Sequence, residues 1–266
     1  MLSAERKRTI LDVVERKGRV VAAELAERFG VSEDTVRRDL RELAADGLLH
    51  RVYGGALAPP ALPKAPVLPS HAARVEQARA EKAAIADAAA RLIVDGGSGN
   101  GGSAGPLVIT IDSGTTPLHV AEHLPEGARL TVVTHSLPVL RALAGRPGIE
   151  LIAVGGRIHP ESLAATGAVT VDAYRAVHAD ACVLGVAGVD VTAGVTALNH
   201  DEVQVKRAMA ENAARVIAVA AADKLGTAGP FAVASIERVT HLVTDRAASP
   251  RVLKPFKDAG LKVVTA

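Results

Sequence analysis

The sequence predicts an α/β protein in two parts: an N-terminal winged helix-turn-helix unit and a Rossmann-like α/β domain behind it. Three observations predict it. A capped amphipathic helix with three arginines on its outer side follows closely on a second short helix near the N-terminus. From residue 107 onward, short apolar runs alternate with helical patterns. Between the two lies a stretch holding Pro59, Pro60, Pro63, Pro66 and Pro69, a spacing at which no helix persists. The expected division is 1–57, a Pro-rich linker over 58–70, and 71–266.

In the first part, Ser3 to Lys17 reads as a helix with Ile10, Val13 and Val14 inward and Gly18 just past its end. A second helix over 22–29 spaces Leu25 and Phe29 at i, i+4, and Gly30 supplies the turn. Ser32 is a good N-cap for the third helix, whose Val36, Leu40 and Leu43 form one apolar stripe. At about 100° per residue, Arg37, Arg38 and Arg41 fall on the far side of that stripe. A helix held from behind and presenting guanidinium groups suits the major groove of duplex DNA. After the turn at Asp46-Gly47, residues 48–56 read as a β-wing, with His50, Arg51 and Tyr53 available for phosphate or minor-groove contact.

Composition narrows the class. With 266 residues, 48% of them hydrophobic, the chain can bury a sizeable core. It has no apolar run long enough to span a membrane and no signal-peptide core, and its single cysteine, Cys182, reads as a buried structural thiol. The expected location is the cytoplasm, with no metal, cofactor or membrane partner. Residues 1–56 carry eleven basic and ten acidic side chains, so any nucleic-acid binding must depend on where charge sits. An aromatic content of 2% without tryptophan argues against a base-stacking platform for single strands.

The head resembles the winged helix-turn-helix of the DeoR family of bacterial transcriptional regulators. The resemblance is carried by Ala23 to Phe29, by Val31-Ser32 through Thr35-Val36-Arg37-Arg38-Asp39-Leu40, and by Leu48 to Arg51 with Gly54-Gly55-Ala56. It implies a DNA-facing set of Ser32, Glu33, Thr35, Arg37, Arg38 and Arg41. Arg38 or Arg41 suits bidentate reading of guanine, while Ser32 and Thr35 suit phosphates.

In the second part, a helix presents Ile85, Ala89, Leu92 and Ile93 on one face. The Gly-rich run 96–105 lacks the Gly-Lys-Ser/Thr ending of a P-loop and precedes a strand, so it reads as a surface loop. Strands are expected over 107–111, 130–134, 149–154, 181–186, 216–220, 241–244 and 261–264. Helices are expected over 118–124, 138–144, 169–177, 201–213 and 250–259. Such alternation argues for a mostly parallel sheet whose ligand binds at the carboxyl ends of the strands. Small polar residues collect there: Asp112-Ser113-Gly114-Thr115-Thr116 leads into a helix and offers an anion backbone N–H groups and hydroxyls. Thr134-His135-Ser136, Gly155-Gly156-Arg157 and Gly185 to Asp190 close the next strands.

These endings resemble the DeoR-type sensor domain, which is related to ribose-5-phosphate isomerase and CoA-transferase-like folds. Glu81-Lys82, Asp112 to Thr116, Val132 to Thr134, Gly155-Gly156, Gly185 to Asp190, Gly194 to Thr196, Glu202, Val205 to Met209 and Lys224 to Gly226 carry it. The resemblance implies a phosphorylated sugar effector, with Ser113, Gly114, Thr115 and Thr116 on the phosphate. Asp112, Thr134, His135, Ser136, Gly155, Gly156, Gly188, Asp190, Lys206 and Lys224 complete the expected effector set. Two departures stand out: His135 replaces a common Asn, and Ala220-Ala221-Ala222-Asp223 precedes Lys224 where an Asp and a Ser are usual.

The expected function is a DNA-binding repressor of a carbohydrate-metabolism operon, a dimer or tetramer on double-stranded operator DNA, released by a sugar phosphate. Two alternatives stand beside it. One is a sugar-phosphate isomerase with Asp112, Asp190 or Glu202 as base and Lys206 as electrophile. The other is a DNA-binding protein whose second domain only oligomerises. His119 and His123 have i, i+4 metal-ligand spacing but no third ligand, and Ser113 lacks a hydrolase elbow, so no catalytic or metal residue is expected.

Overall fold

The structure is a computed structural model that describes residues 3–46, 48–52, 54–57, 79–95 and 105–266. The chain divides into two compact units, Met1–Leu62 and Pro63–Ala266. The expected linker, Tyr53 and most of the Gly-rich run lie outside the described residues.

The first unit runs α1 (Ser3–Lys17), β1 (Arg19–Val21), α2 (Ala22–Phe29), α3 (Glu33–Ala45), β2 (His50–Val52) and β3 (Gly55–Leu57). Ile10, Val14, Leu25, Val36, Leu40 and Leu43 fill its core, so the apolar stripe read from α3 faces inward. Ser32 caps α3 by accepting from the Thr35 amide at 3.3 Å. The strands form an antiparallel sheet of order β1-β3-β2. β1, three residues without a pattern of its own, exists because Arg19 to Val21 find partners in Leu57 to Gly55.

Asp39 sits in a charged run yet is buried. Its carboxylate takes a bidentate pair from Arg6 of α1, Nε to Oδ2 at 2.5 Å and Nη2 to Oδ1 at 3.2 Å. The pair ties α1 to the face of α3 opposite the arginines.

The second unit is a seven-stranded parallel sheet. Its elements are α4 (Arg79–Asp95), β4 (Leu107–Ile111), α5 (Thr115–Glu122), β5 (Leu130–Thr134), α6 (Leu137–Leu143), β6 (Ile149–Ala153), β7 (Arg157–His159), β8 (Ala164–Thr166) and α7 (Ala168–Arg175). They continue with β9 (Ala179–Gly185), β10 (Gly188–Asp190), β11 (Gly194–Ala197), α8 (His200–Glu211), β12 (Ala213–Val219), β13 (Phe231–Ala234), β14 (His241–Thr244), α9 (Pro250–Asp258) and β15 (Lys262–Thr265). The sheet order is β15-β14-β12-β9-β4-β5-β6.

Side-chain alternation assigns each face its helices. Ile109, Ile111, Val132, Val183, Ile217 and Val219 pack with Ile85, Ala89 and Ile93 of α4 and with Val120 and Val139 of α5 and α6. Val133, Cys182, Leu184, Val216 and Ala218 face the other way, against Tyr174, Val205, Met209 and Phe256. Cys182 is a free, buried thiol that desolvation pushes up to about 12, and it stays inert.

The seven sheet strands fall where the sequence predicts them. The hairpin β7–β8 and the three-stranded sheet β10-β11-β13 were not expected; their strands have three or four residues, too short for a period. The helix expected over 201–213 ends at Glu211, because Ala213 already pairs with Ala179 of β9.

From β4 the chain steps outward to β5 and β6, then returns to place β9 on β4's other side. The strand order therefore reverses between β4 and β9, and a crevice opens at their carboxyl ends.

The Arg6–Asp39 pair gives the first unit a test. Asp39→Ala, which removes the acceptor of a largely buried guanidinium, should cost about 3 kcal/mol or more in a denaturant titration. A loss under about 1 kcal/mol, the range of an exposed pair, would show that the contact does not hold α3 in place.

Candidate functional site

On α3, the expected DNA-facing side chains are exposed or half-buried, but their charges are not equally available. The Ser32 and Thr35 hydroxyls hydrogen-bond each other at 2.9 Å. Arg37 Nη2 donates to Glu33 Oε2 at 2.6 Å, and its Nη1 lies 3.7 Å from Asp34 Oδ1. Arg41 Nε reaches the Arg37 carbonyl at 3.4 Å. Arg38 is exposed and makes no hydrogen bond or ion pair with a described residue. His50 and Arg51 are exposed on β2.

In the second unit a cavity of about 580 Å³ opens over the reversal between β4 and β9. Ser113 to Pro117 form one wall, with Lys82 from α4 beside them. Gly185 to Ala187 follow from β9, and Asn199, Glu202 and Lys206 from α8. His159, Glu161 and Ser162 of the β7–β8 hairpin, Ala221 to Lys224 after β12, Asp245 after β14 and Glu81 of α4 also line it.

The β4–α5 turn is built to present donors. Gly114 caps α5 at φ 113°, a conformation that L side chains rarely adopt, and it turns the chain directly from strand to helix. Ser113, Thr115 and Thr116 are each more than nine-tenths buried and line the cavity. None of their hydroxyls bonds to a described residue.

Beneath this turn lies a fully buried carboxylate. Asp112 Oδ1 accepts from the Ser113 amide at 2.7 Å, and Oδ2 accepts from the Gly185 amide at 2.8 Å. Oδ2 also receives the ammonium of Lys206, which donates a second bond to the Gly185 carbonyl at 3.1 Å. A Cβ at Gly185 would lie 3.0 Å from the Ser113 carbonyl and 3.3 Å from Asp112 Oδ2, so a larger residue there would push these neighbours away by a few tenths of an ångström.

His135 continues the network. Its Nδ1 lies 2.8 Å from the Tyr174 hydroxyl, and its Nε2 lies 3.8 Å from Asp112 Oδ1. Complete burial, reinforced by the Lys206 charge, pushes the imidazole down to about 3. The ring is therefore neutral, and its approach to Asp112 is no ion pair. A proton on Nε2 faces the carboxylate, which leaves Nδ1 to accept from the tyrosine. Burial likewise holds Tyr174 well above its ordinary value, as a phenol.

Of the expected effector set, Ser113, Gly114, Thr115, Thr116, Lys206 and Lys224 line the cavity. Asp112 and His135 lie behind it, their polar atoms turned to the protein. Thr134 donates to the Ile111 carbonyl at 2.7 Å and accepts from the Ser136 amide at 3.2 Å, and Ser136 is buried with it. Gly155 and Gly156 pack under Thr170, whose hydroxyl donates to the Gly155 carbonyl at 2.8 Å. Gly188 packs against Thr227, and Asp190 Oδ1 closes the β10–β11 turn by accepting from Thr192 and Ala193 amides at 2.7 and 3.1 Å. These residues shape the strand ends and do not line the cavity.

His159, Ser162 and Asn199 also line the cavity, although no motif in the sequence marks them as site residues. Asn199 Oδ1 caps α8 by accepting from the Asp201 amide at 2.8 Å, which leaves its Nδ2 to donate to His159 Nε2 at 2.7 Å. The His159 proton then sits on Nδ1, 3.2 Å from Ser162 Oγ and 3.9 Å from Glu202 Oε1. An N-cap asparagine was a visible signal; its histidine partner, brought by the hairpin, was not. Among the described residues no cluster could hold a metal ion, and no helix is long and apolar enough to cross a membrane.

A winged helix-turn-helix followed by a parallel-sheet domain with a strand-end cavity defines a two-part transcription regulator. The chain belongs to the DeoR family: residues 6–60 match the DeoR-like helix-turn-helix domain, and residues 77–246 match the DeoR C terminal sensor domain. Among its relatives, the glycerol-3-phosphate regulon repressor of Escherichia coli K12 is 32% identical over 97% of each chain. The transcriptional repressor GlcR of Bacillus subtilis is 30% identical over 92% of this chain and 90% of that one. The regulator GolR of Listeria innocua is 28% identical over 99% and 98%. The solved ribose 5-phosphate isomerase of Methanocaldococcus jannaschii, 15% identical over 54% of this chain and 52% of that one, aligns with a TM-score of 0.36, too low to bear on function.

The neutral His135 makes stability depend on pH. An unfolded histidine titrates near 6.5 and the folded one near 3, so the unfolded chain binds the extra proton between these values. Stability should fall with acidification from pH 6.5 toward 3, this residue contributing up to about 1.4 kcal/mol per pH unit. His135→Asn should flatten the melting-temperature profile across that window. Parallel profiles for the two proteins would mean that the imidazole is charged in the fold.

Proposed function

We propose that this protein represses a carbohydrate-metabolism operon by binding duplex DNA through α3 and the wing, and that a phosphorylated sugar in the strand-end cavity releases it. The observation that carries the effector reading is the trio Ser113, Thr115 and Thr116: buried hydroxyls facing a cavity with no partner of their own among the described residues. Together with the first amides of α5 they suit the three oxygens of a phosphate monoester. The relatives' names, a glycerol-3-phosphate regulon repressor among them, support the same class of ligand.

The division proposed is a DNA-binding head over 1–57, a linker over 58–70 and an effector and oligomerisation domain over 71–266. One recognition helix spans too few base pairs for useful specificity, so the working form is a cytoplasmic dimer or tetramer on repeated half-sites. Arg38 is the base-reading residue, since Arg37 is engaged by Glu33 and Asp34. Isomerase chemistry is disfavoured, because Lys206, its required electrophile, is held by Asp112 and the Gly185 carbonyl.

The test is fluorescence anisotropy of the full chain on DNA from upstream of its own gene, followed by a panel of sugar phosphates. Arg38→Ala should weaken operator binding by about 1–3 kcal/mol. Joint replacement of Ser113 and Thr115 by Ala should abolish release by the active sugar phosphate, each lost bond to the charged phosphate costing about 1.5–3 kcal/mol. Operator binding that ignores every phosphorylated compound would overturn the effector reading.

A further inference from the structure

Beside its lysines and hydroxyls, the cavity lining carries a carboxylate from α8. Ser113 to Thr116 form the phosphate pole. The first turn of α8 contributes Glu202, four residues before Lys206 on the same face of the helix. Four residues of helix rise about 6 Å. The Lys206 ammonium is fixed to Asp112, which also holds the Ser113 amide, so Glu202 lies one turn of α8 from the residue anchored beneath the phosphate pole.

The other carboxylates of the lining are accounted for differently. Asp245 accepts from the Ala222 and Ala247 amides at 2.8 and 2.9 Å. Glu81, Glu161 and Asp223 are exposed at the rim. Glu202 is different: only 18% of its side chain is exposed, and it receives no hydrogen bond from any described residue. Its nearest polar neighbour is His159, and that imidazole is already committed to Asn199 and Ser162. A half-enclosed carboxylate without donors is an acceptor for whatever enters the cavity.

We infer that Glu202 is the specificity-determining residue of the cavity, and that the site takes a phosphate monoester whose far end is an uncharged hydroxylated chain. This inference rests on the effector reading above and narrows it. The phosphate meets Ser113 to Thr116, and hydroxyls of that chain donate to the Glu202 carboxylate. A ligand with a second anion, whether a sugar acid phosphate or a bisphosphate, brings like charge against Glu202 in a partly desolvated space and is rejected.

Calorimetric titration of the full chain tests this with two matched pairs: glucose monophosphate against phosphogluconate, and fructose monophosphate against fructose bisphosphate. The uncharged-end member of at least one pair should bind about tenfold or more tightly than the partner that carries a second anionic group. Glu202→Gln should reduce that preference to about twofold, and Glu202→Asp, which keeps the charge, should retain it. Equal affinity of the wild type within both pairs, or a preference for the members with a second anionic group, overturns the inference without the need of a variant. An unchanged preference in a folded Glu202→Gln protein overturns the role of this residue. Failure of all four compounds, and of inorganic phosphate, to bind the wild type overturns the effector reading itself, a result distinct from equal binding.

Discussion

The Asp112 carboxylate is the constraint on which the sensor unit depends. It is fully buried, and a charge so placed survives only when its acceptor sites are filled. Four elements converge to fill or face them: the β4–α5 turn through Ser113, the end of β9 through Gly185, α8 through Lys206, and the β5–α6 connection through His135. Removing either member of such a pair strands the other, which is far costlier than the net worth of the pair. The same contacts set the spacing between the two strands whose ends form the cavity floor.

This explains why several residues that look like ligand contacts are the frame of the site. Asp112, Thr134, His135 and Asp190 spend their polar atoms on backbone groups and on buried side chains such as Lys206 and Tyr174. What remains open to a ligand is what they position: the hydroxyls of Ser113, Thr115 and Thr116, and the carboxylate of Glu202. The head is ordered by the same device on a smaller scale. Arg6 and Asp39 form a buried pair behind α3, while Arg38 is left facing outward.

Much of this was legible in the sequence, for identifiable reasons. Strands covered on both faces read as continuous apolar runs, and Val132-Val133, Cys182 to Leu184 and Val216 to Val219 do so. The capped, striped helix 33–45 was equally plain, as was the polar turn after β4. Long-range pairing was not. Lys206 is 94 residues from Asp112, and Asn199 is 40 from His159, so no local pattern announces either contact. The β7–β8 hairpin escaped notice because three-residue strands show no periodicity and its pairing is decided by the fold around it. Glu202 was visible as a carboxylate on a helix, but its want of a donor is a property of the assembled cavity.

The proposed seat of effector action is the cavity over β4 and β9. Amide hydrogen exchange on the full chain, with and without the sugar phosphate that releases DNA, tests it most directly. Ligand-dependent protection should concentrate at 113–117 and 199–206, the phosphate turn and the first turns of α8. Protection confined to the head over 1–57, or absent from both cavity segments while DNA is still released, would contradict it.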